Sequence, residues 1–346
     1  TFSIRRCLKN AGCNYLEINL IDQPELVPVL EQSTSVNDLV VNLSAATNYS
    51  FVQGESFIFI DEVQEVKDIV SRIKFWVDEG SFRYILSGSL LGIELMNLRS
   101  APVGYLQEIQ MYPVDFEEFL YASGVQQTVV DYLQQCFADQ SPVSGLIHER
   151  MMKHFRRYLV VGGMPAAVAE YIESGDIGKV DIIQTGIIEQ YKRDFTKYEA
   201  LEKKLMIISV YDAIPSQLLK QNRRFNYSDI EKGLRFERVE SSFLWLAAAG
   251  VAITVYNATE PRVALIQNQK SSLLKLYSSD VGLLTSRYGN ALRTRILIND
   301  DKVNLGGIYE NAVVQELNAH GYQAFYYNSH KSALRSENFS QRKDLV

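Results

Sequence analysis

Cysteine and histidine are scarce in this chain of 346 residues, which has three cysteines (Cys7, Cys13, Cys136) and four histidines (His148, His154, His320, His330). An odd, sparse cysteine set without metal-ligand spacing excludes a disulfide scaffold and fits reduced thiols in a cytoplasmic protein. His148 and His154 lie six apart and would share a helix face poorly, so no zinc motif is legible, and no Ser/His/Asp constellation either. Apolar runs approaching about 20 residues are missing, so no membrane span is expected. The N-terminus mixes basic and apolar residues and lacks the apolar core of a signal peptide. A basic excess is missing too: the net charge of -6 excludes a chain that binds nucleic acid along its whole length, though not a local basic patch.

What is present is an ordinary globular composition, 47% hydrophobic and 22% charged, long enough for about two to three domains. The first 125 residues alternate strand and helix. Phe2, Ile4 and Leu8 lie on one face of an opening helix that stops at Asn10-Ala11-Gly12. Tyr15 to Leu20 alternates like a strand. Val36 to Leu43 reads as a helix with Ser35 as N-cap and Asp38 in its first turn. Ser56-Phe57-Ile58-Phe59-Ile60 is an apolar run suited to a strand buried on both faces, and it ends in two acids, Asp61 and Glu62. Val66, Ile69, Val70, Ile73, Trp76 and Val77 then recur at helical spacing, and Phe82 to Leu86 is a further strand ending in Ser87-Gly88-Ser89. This alternation predicts a three-layer α/β domain with a parallel sheet, whose ligand-binding rim is the carboxyl end of the strands. Asp115 and Glu118 form a capping box for a short helix closed by Gly124.

The texture changes near residue 125. Val129 to about Lys220 is helical, broken at Asp139 to Pro142 and at Gly162-Gly163-Met164-Pro165. Helical spacing continues from Leu234 to Leu246, and Val251–Tyr256 and Val263–Ile266 read as two strands of a hairpin. Helices followed by a hairpin are the layout of a winged helix. Residues 203–268 hold nine Lys/Arg against six Asp/Glu, with Arg223, Arg224, Lys232, Arg235 and Arg238 supplying most of the excess. That patch suits phosphate contact, but a solvated helix face is the simpler reading of it. Leu274–Tyr277 reads as a strand, Gly307–His320 as a helix and Tyr322–Tyr327 as a last strand, followed by a polar tail expected not to pack.

Asp61-Glu62 at a strand end, Ser87-Gly88-Ser89 at the next strand end, Tyr112-Pro113-Val114-Asp115-Phe116 and Tyr158–Pro165 occur in that order. Ile214–Leu218, Lys275-Leu276-Tyr277, Asp280–Leu284 and Gly307–Asn311 follow. The series resembles a large prokaryotic family of AAA-type ATPases with an N-terminal P-loop domain and a C-terminal domain of unknown function, the latter with winged-helix and restriction-endonuclease-like parts. The resemblance implies an ATPase core over 1–125, a helical lid or linker over 126–202, a winged-helix-like segment over 203–268, a partial nuclease-like segment over 269–330 and a disordered tail over 331–346. It implies ATP and Mg²⁺ as cofactors. Asp61 takes the place of the Walker B aspartate that organises Mg²⁺, and Glu62 that of the catalytic residue activating the hydrolytic water. Ser87 and Ser89 stand where the family has its sensor polar group, and Ser89 would serve equally as a helix N-cap. Arg99 lies where related ATPases carry an arginine that can reach nucleotide, and an exposed arginine needs no such role.

Two departures from the family pattern stand out. The glycine-rich loop ending in Gly-Lys-Thr, which cradles phosphates with its N–H groups and lysine, is not in the sequence. Thr1 followed by Phe2-Ser3-Ile4-Arg5-Arg6 resembles the last residue of that loop and the helix after it, so Thr1 would be the hydroxyl that meets Mg²⁺ and the sequence would open within the motif. Beyond Ser329, the acid-Val-Asp-Phe and Glu-x-Lys strands of a nuclease centre are also missing, and Glu310 alone does not supply one. The expectations are therefore an ATP-binding ATPase, impaired in ATP binding as it stands; relatives often form rings, but no trans-acting arginine is legible, which leaves the oligomeric state open. The alternatives are a DNA-binding winged-helix module and a non-catalytic remnant acting in protein interaction.

Overall fold

The structure is a computed structural model that describes residues 1–66, 69–88, 104–195, 201–260 and 265–327. The chain divides into two compact units, Thr1–Gln110 and Met111–Val346. The boundary falls somewhat earlier than the texture change at residue 125.

The first unit is built on a three-stranded parallel sheet with the order β1 (Tyr15–Asn19), β2 (Phe57–Asp61), β3 (Arg83–Leu86). Helix α1 (Phe2–Asn10) precedes β1. Helices α2 (Val27–Gln32) and α3 (Val36–Thr47) lie between β1 and β2, and α4 (Ile69–Glu79) leads into β3. Strand β2 is central because its sequence leaves no polar face. Ile58, Phe59 and Ile60 are all fully buried, and since successive side chains point to opposite faces, both faces are covered. The core joins Ile18, Ile58 and Ile60 of the sheet to Leu39 and Leu43 of α3 and Ile73 and Trp76 of α4. Each such aliphatic side chain, fully buried, contributes about 1.5–3 kcal/mol. Helix α3 starts as its sequence dictates: the Ser35 side chain accepts the Asp38 N–H at 3.1 Å.

The second unit begins with α5 (Phe116–Ala122), which carries a complete capping box between Asp115 and Glu118. Five helices follow: α6 (Gln127–Ala138), α7 (Gly145–Val161), α8 (Pro165–Ser174), α9 (Ile177–Phe195) and α10 (Leu201–Leu219). After α11 (Phe236–Ala248) comes a sheet of order β5-β4-β6, made of β4 (Ala252–Ala258), β5 (Gln269–Ser278) and β6 (Phe325–Tyr326). Between β5 and β6 lie α12 (Val281–Ser286), α13 (Asn290–Leu297) and α14 (Gly306–Ala319).

This sheet revises the sequence reading of the region. The antiparallel partner of β4 is 269–278, whereas Leu265 and Ile266 belong to a 3₁₀ turn over Leu265–Asn268. The hairpin strand is thus later and longer than expected, and it absorbs the strand read at Leu274–Tyr277. A register shift between Tyr256 and Asn257 marks a bulge in the pair. Strand β4 also pairs in parallel with β6. The segments read as winged-helix-like and nuclease-like therefore contribute to one sheet, and the expected boundary at 268/269 runs through it.

Three of the motifs singled out in the sequence meet in the interior of this unit. The Asp280 carboxylate accepts the N–H of Gly163 at 2.6 Å and of Leu283 at 2.8 Å, and Val114 N–H bonds Gly163 O at 2.8 Å. The Tyr158 hydroxyl lies 2.9 Å from Val114 O. A Cβ on Gly163 would fall 2.0 Å from Val114 O, and one on Gly282 would fall 2.5 Å from Val161 O, so backbone meets backbone at both places. Asp280 is fully buried, and that desolvation pushes its carboxyl up to about 6 although several N–H groups oppose the shift.

Candidate functional site

The rim of the first sheet gathers a polar cluster about one buried acid. Asp61 is the last residue of β2 and is only 3% exposed. Its Oδ2 accepts the Thr1 hydroxyl at 2.8 Å and the Asn19 side-chain amide at 3.3 Å, and its Oδ1 accepts the Ser87 hydroxyl. Each partner reaches Asp61 for a local reason. Asn19 ends β1 directly opposite Asp61 in the parallel register. Ser87 follows β3, and its N–H continues the ladder to Ile60 O at 2.9 Å. Thr1 is the N-cap residue of α1, but its hydroxyl makes no cap bond within the helix and is given to Asp61 instead. The start of α1 and the carboxyl ends of three strands therefore converge on one carboxylate.

All three side-chain partners are neutral. Among the described residues, no Lys or Arg forms an ion pair with Asp61. Arg5, one turn into α1, senses the Asp61 charge but is held by Glu17 through Nε at 2.8 and 2.9 Å and Nη2 at 2.5 Å. Its guanidinium is pushed up chiefly by that hydrogen bond and then by the Glu17 charge. A carboxylate buried among neutral groups is costly unless a cation completes its surroundings. An oxygen-rich set of one carboxylate and neighbouring hydroxyls is the kind of partial shell Mg²⁺ takes, with waters and phosphate oxygens filling the rest.

Glu62 adopts φ 59° and ψ 44°, the left-handed region that a non-glycine residue enters at a cost of about 1–2 kcal/mol. The turn ends β2 and begins a 3₁₀ segment, Val63–Glu65, tied to the next strand end by Val63 N–H on Ser87 O at 3.1 Å. The Glu62 carboxylate, half-buried, accepts the Gln64 side-chain amide at 2.5 Å. Gln64 itself packs against Gly88, where a Cβ would stand 2.4 Å from Gln64 Oε1. A side chain at Gly88 would displace the end of the Gln64 side chain, which is flexible enough to move.

Of the expected site residues, Thr1, Asp61 and Ser87 are thus in direct contact, and Glu62 follows Asp61 on a strained turn. Ser89 and Arg99 lie outside the described residues. Asn19 and Gln64 were not singled out from sequence, though Asn19 ends an alternating strand at the same rim. The basic residues of the second unit do not behave alike. Arg223 forms an ion pair with Glu310, which also receives Lys275 at 3.3 Å and the Tyr277 hydroxyl at 2.9 Å. Arg224 is half-buried and interacts with Tyr326. Lys232, Arg235 and Arg238 are exposed at or before the start of α11. Among the described residues no helix is long and apolar enough to cross a membrane.

Residues 1–120 match a family described as an AAA domain, and residues 152–293 match a domain of unknown function (DUF8612). No curated protein matches the chain. Among solved structures, a Walker-type ATPase of Pyrococcus abyssi is similar at 12% identity, covering 80% of this chain and 84% of that one with a TM-score of 0.43, a likeness that carries no argument about the site. Residues 1–120, which include the parallel sheet, are thus similar to an AAA domain, and residues 152–293 to a domain of unknown function.

Proposed function

We propose that the chain binds Mg-ATP at the rim of its first sheet and, with a phosphate-binding loop ahead of Thr1, hydrolyses it. The observation that carries this reading is the buried Asp61 carboxylate, whose side-chain partners Thr1, Asn19 and Ser87 are all neutral. Asp61 and the Thr1 hydroxyl would hold the ion, which supplies charge neutralisation to the phosphate oxygens. The start of α1 offers N–H donors to an anion in the same place. Glu62 is the general base that orients and deprotonates the attacking water, and the Gln64 amide holds its carboxylate. Ser87, whose hydroxyl is given to Asp61, is assigned with Ser89 and Arg99 to nucleotide contact on the family resemblance alone.

The test is ATP turnover by the chain extended upstream through a Gly-Lys-Thr loop. Turnover that requires Mg²⁺ and is lost in Glu62→Gln, with ATP still bound, supports the reading. No turnover, or turnover indifferent to Glu62→Gln, rejects it.

A second reading, nucleic-acid contact by the second unit, rests on the exposed Lys232, Arg235 and Arg238. Arg223, already paired with Glu310, contributes less than its sequence position suggests. Filter binding of duplex DNA that weakens steeply with salt, and further on Lys232→Ala with Arg235→Ala, would support it. Flat salt dependence would remove it.

A further inference from the structure

The second unit brings two carboxylates and an imidazole together from opposite ends of its sequence. Asp115, the N-cap of α5, meets Glu316 and His320 at the end of α14, and one ligand atom from each lies within 4.8 Å of the other two. Glu316 and His320 are four residues apart, so one helix face presents both. His320 Nε2 stands 3.6 Å from Asp115 Oδ2, too far for a hydrogen bond. An ion bound at about 2.0–2.2 Å to each ligand in tetrahedral geometry spaces its ligand atoms about 3.4 Å apart.

The surroundings position the ligands from outside the set. Glu316 Oε1 receives the Tyr158 hydroxyl at 2.9 Å and the Phe116 N–H at 3.0 Å, which leaves its second oxygen for an ion. Tyr158 is fully buried and is itself held by Gln315 at 2.9 Å. Asp115 Oδ1 is fixed by the Glu118 N–H at 2.8 Å, which leaves Oδ2. Such outer contacts orient ligands in metal sites. The charges also point to a cation. Among the described residues, no Lys or Arg pairs with Asp115 or Glu316, and the exposed imidazole is the sole ion-pair partner of Asp115. A lone His–Asp pair this exposed would contribute about 0–1 kcal/mol and does not account for two converging acids.

We propose that Asp115, Glu316 and His320 bind a divalent first-row transition ion of the zinc class, in a site that ties the start of the second unit to the end of α14. Mixed nitrogen and oxygen ligands favour such an ion over Mg²⁺ or Ca²⁺.

The chain, stripped with chelator and dialysed, would be titrated with Zn²⁺ by calorimetry, with Mg²⁺ as the comparison. Two variants keep the test independent of folding: His320→Ala alters an exposed side chain, and Asp115→Asn retains a capping oxygen. Circular dichroism confirms that each folds. The expected result is one Zn²⁺ per chain bound at least about tenfold more weakly in both variants, with Co²⁺ giving a visible spectrum free of thiolate charge transfer. No Zn²⁺ uptake, or uptake unchanged in both variants as Cys7 or Cys13 ligation would give, overturns the proposal.

Discussion

The Thr1 hydroxyl donates to the Asp61 carboxylate at 2.8 Å across sixty residues of sequence, joining the start of α1 to the end of β2. This bond brings a helix N-terminus to a strand rim, and it turns the N-cap side chain away from its own helix. Thr1→Val, which keeps the shape and deletes the hydroxyl, should weaken Mg-ATP binding by the loop-extended chain several-fold. Stability should fall by about 1–3 kcal/mol, the net worth of one hydrogen bond to a charged group.

The strained turn at Glu62 predicts a split between stability and function. Glycine tolerates the left-handed conformation that glutamate adopts at φ 59°. Glu62→Gly should leave stability unchanged or raise it by up to about 1 kcal/mol in urea unfolding, while abolishing ATP turnover. Glu62→Val should cost stability as well, because a β-branched side chain fits that region worst.

Two glycines of the second unit make a paired test of the packing. Gly163→Ala would drive a Cβ into Val114 O and should destabilise by about 2–3 kcal/mol. Gly186, exposed within α9, has open space where a Cβ would stand, with nothing within 4 Å, and Gly186→Ala should stabilise by about 0.5–1 kcal/mol. Denaturant midpoints compare the two directly.

Asp280 gives the second unit a pH dependence of definite sign. Its carboxyl is raised in the folded state, from 3.8 to about 6, so its contribution is fully present below the unfolded value and is lost as pH rises through about 6. Between pH 7 and pH 5 the wild type should gain about 1 kcal/mol from this group. Asp280→Asn should lack that gain. Subtracting the two unfolding curves isolates the effect from carboxylates that titrate the other way, such as Asp229 and Asp300, both lowered by hydrogen bonds.

The first sheet was legible because its signals are local. An apolar run stopped by two acids marks a doubly buried strand whose end faces the rim, and Ser35 with Asp38 marks a helix start. Asn19 escaped notice because a polar residue at a strand end is common, and only the register of β1 against β2 sets it beside Asp61. The hairpin partner of β4 was placed too early because Gln269 to Ser272 are polar and none of them is buried, hiding the first half of β5. The convergence of Asp115 on Glu316 and His320 depends on contacts about 200 residues apart, which no spacing rule encodes. Arg223 looked like a phosphate ligand by charge alone, and its partner Glu310 is 87 residues away.

The most direct measurement is Mg²⁺-dependent ATP binding by the loop-extended chain, beside its Asp61→Asn variant. Asparagine can keep every contact of the site, with its oxygen toward Thr1 and Asn19 and its amide toward Ser87, whose hydroxyl can turn to accept. The account predicts a folded variant of near-native stability whose Mg-ATP affinity falls at least about tenfold while its weak metal-free ATP binding, relieved of a like charge, is unchanged or tighter. Equal Mg-ATP affinity in the two proteins would show that Asp61 is a structural acid and would contradict the account.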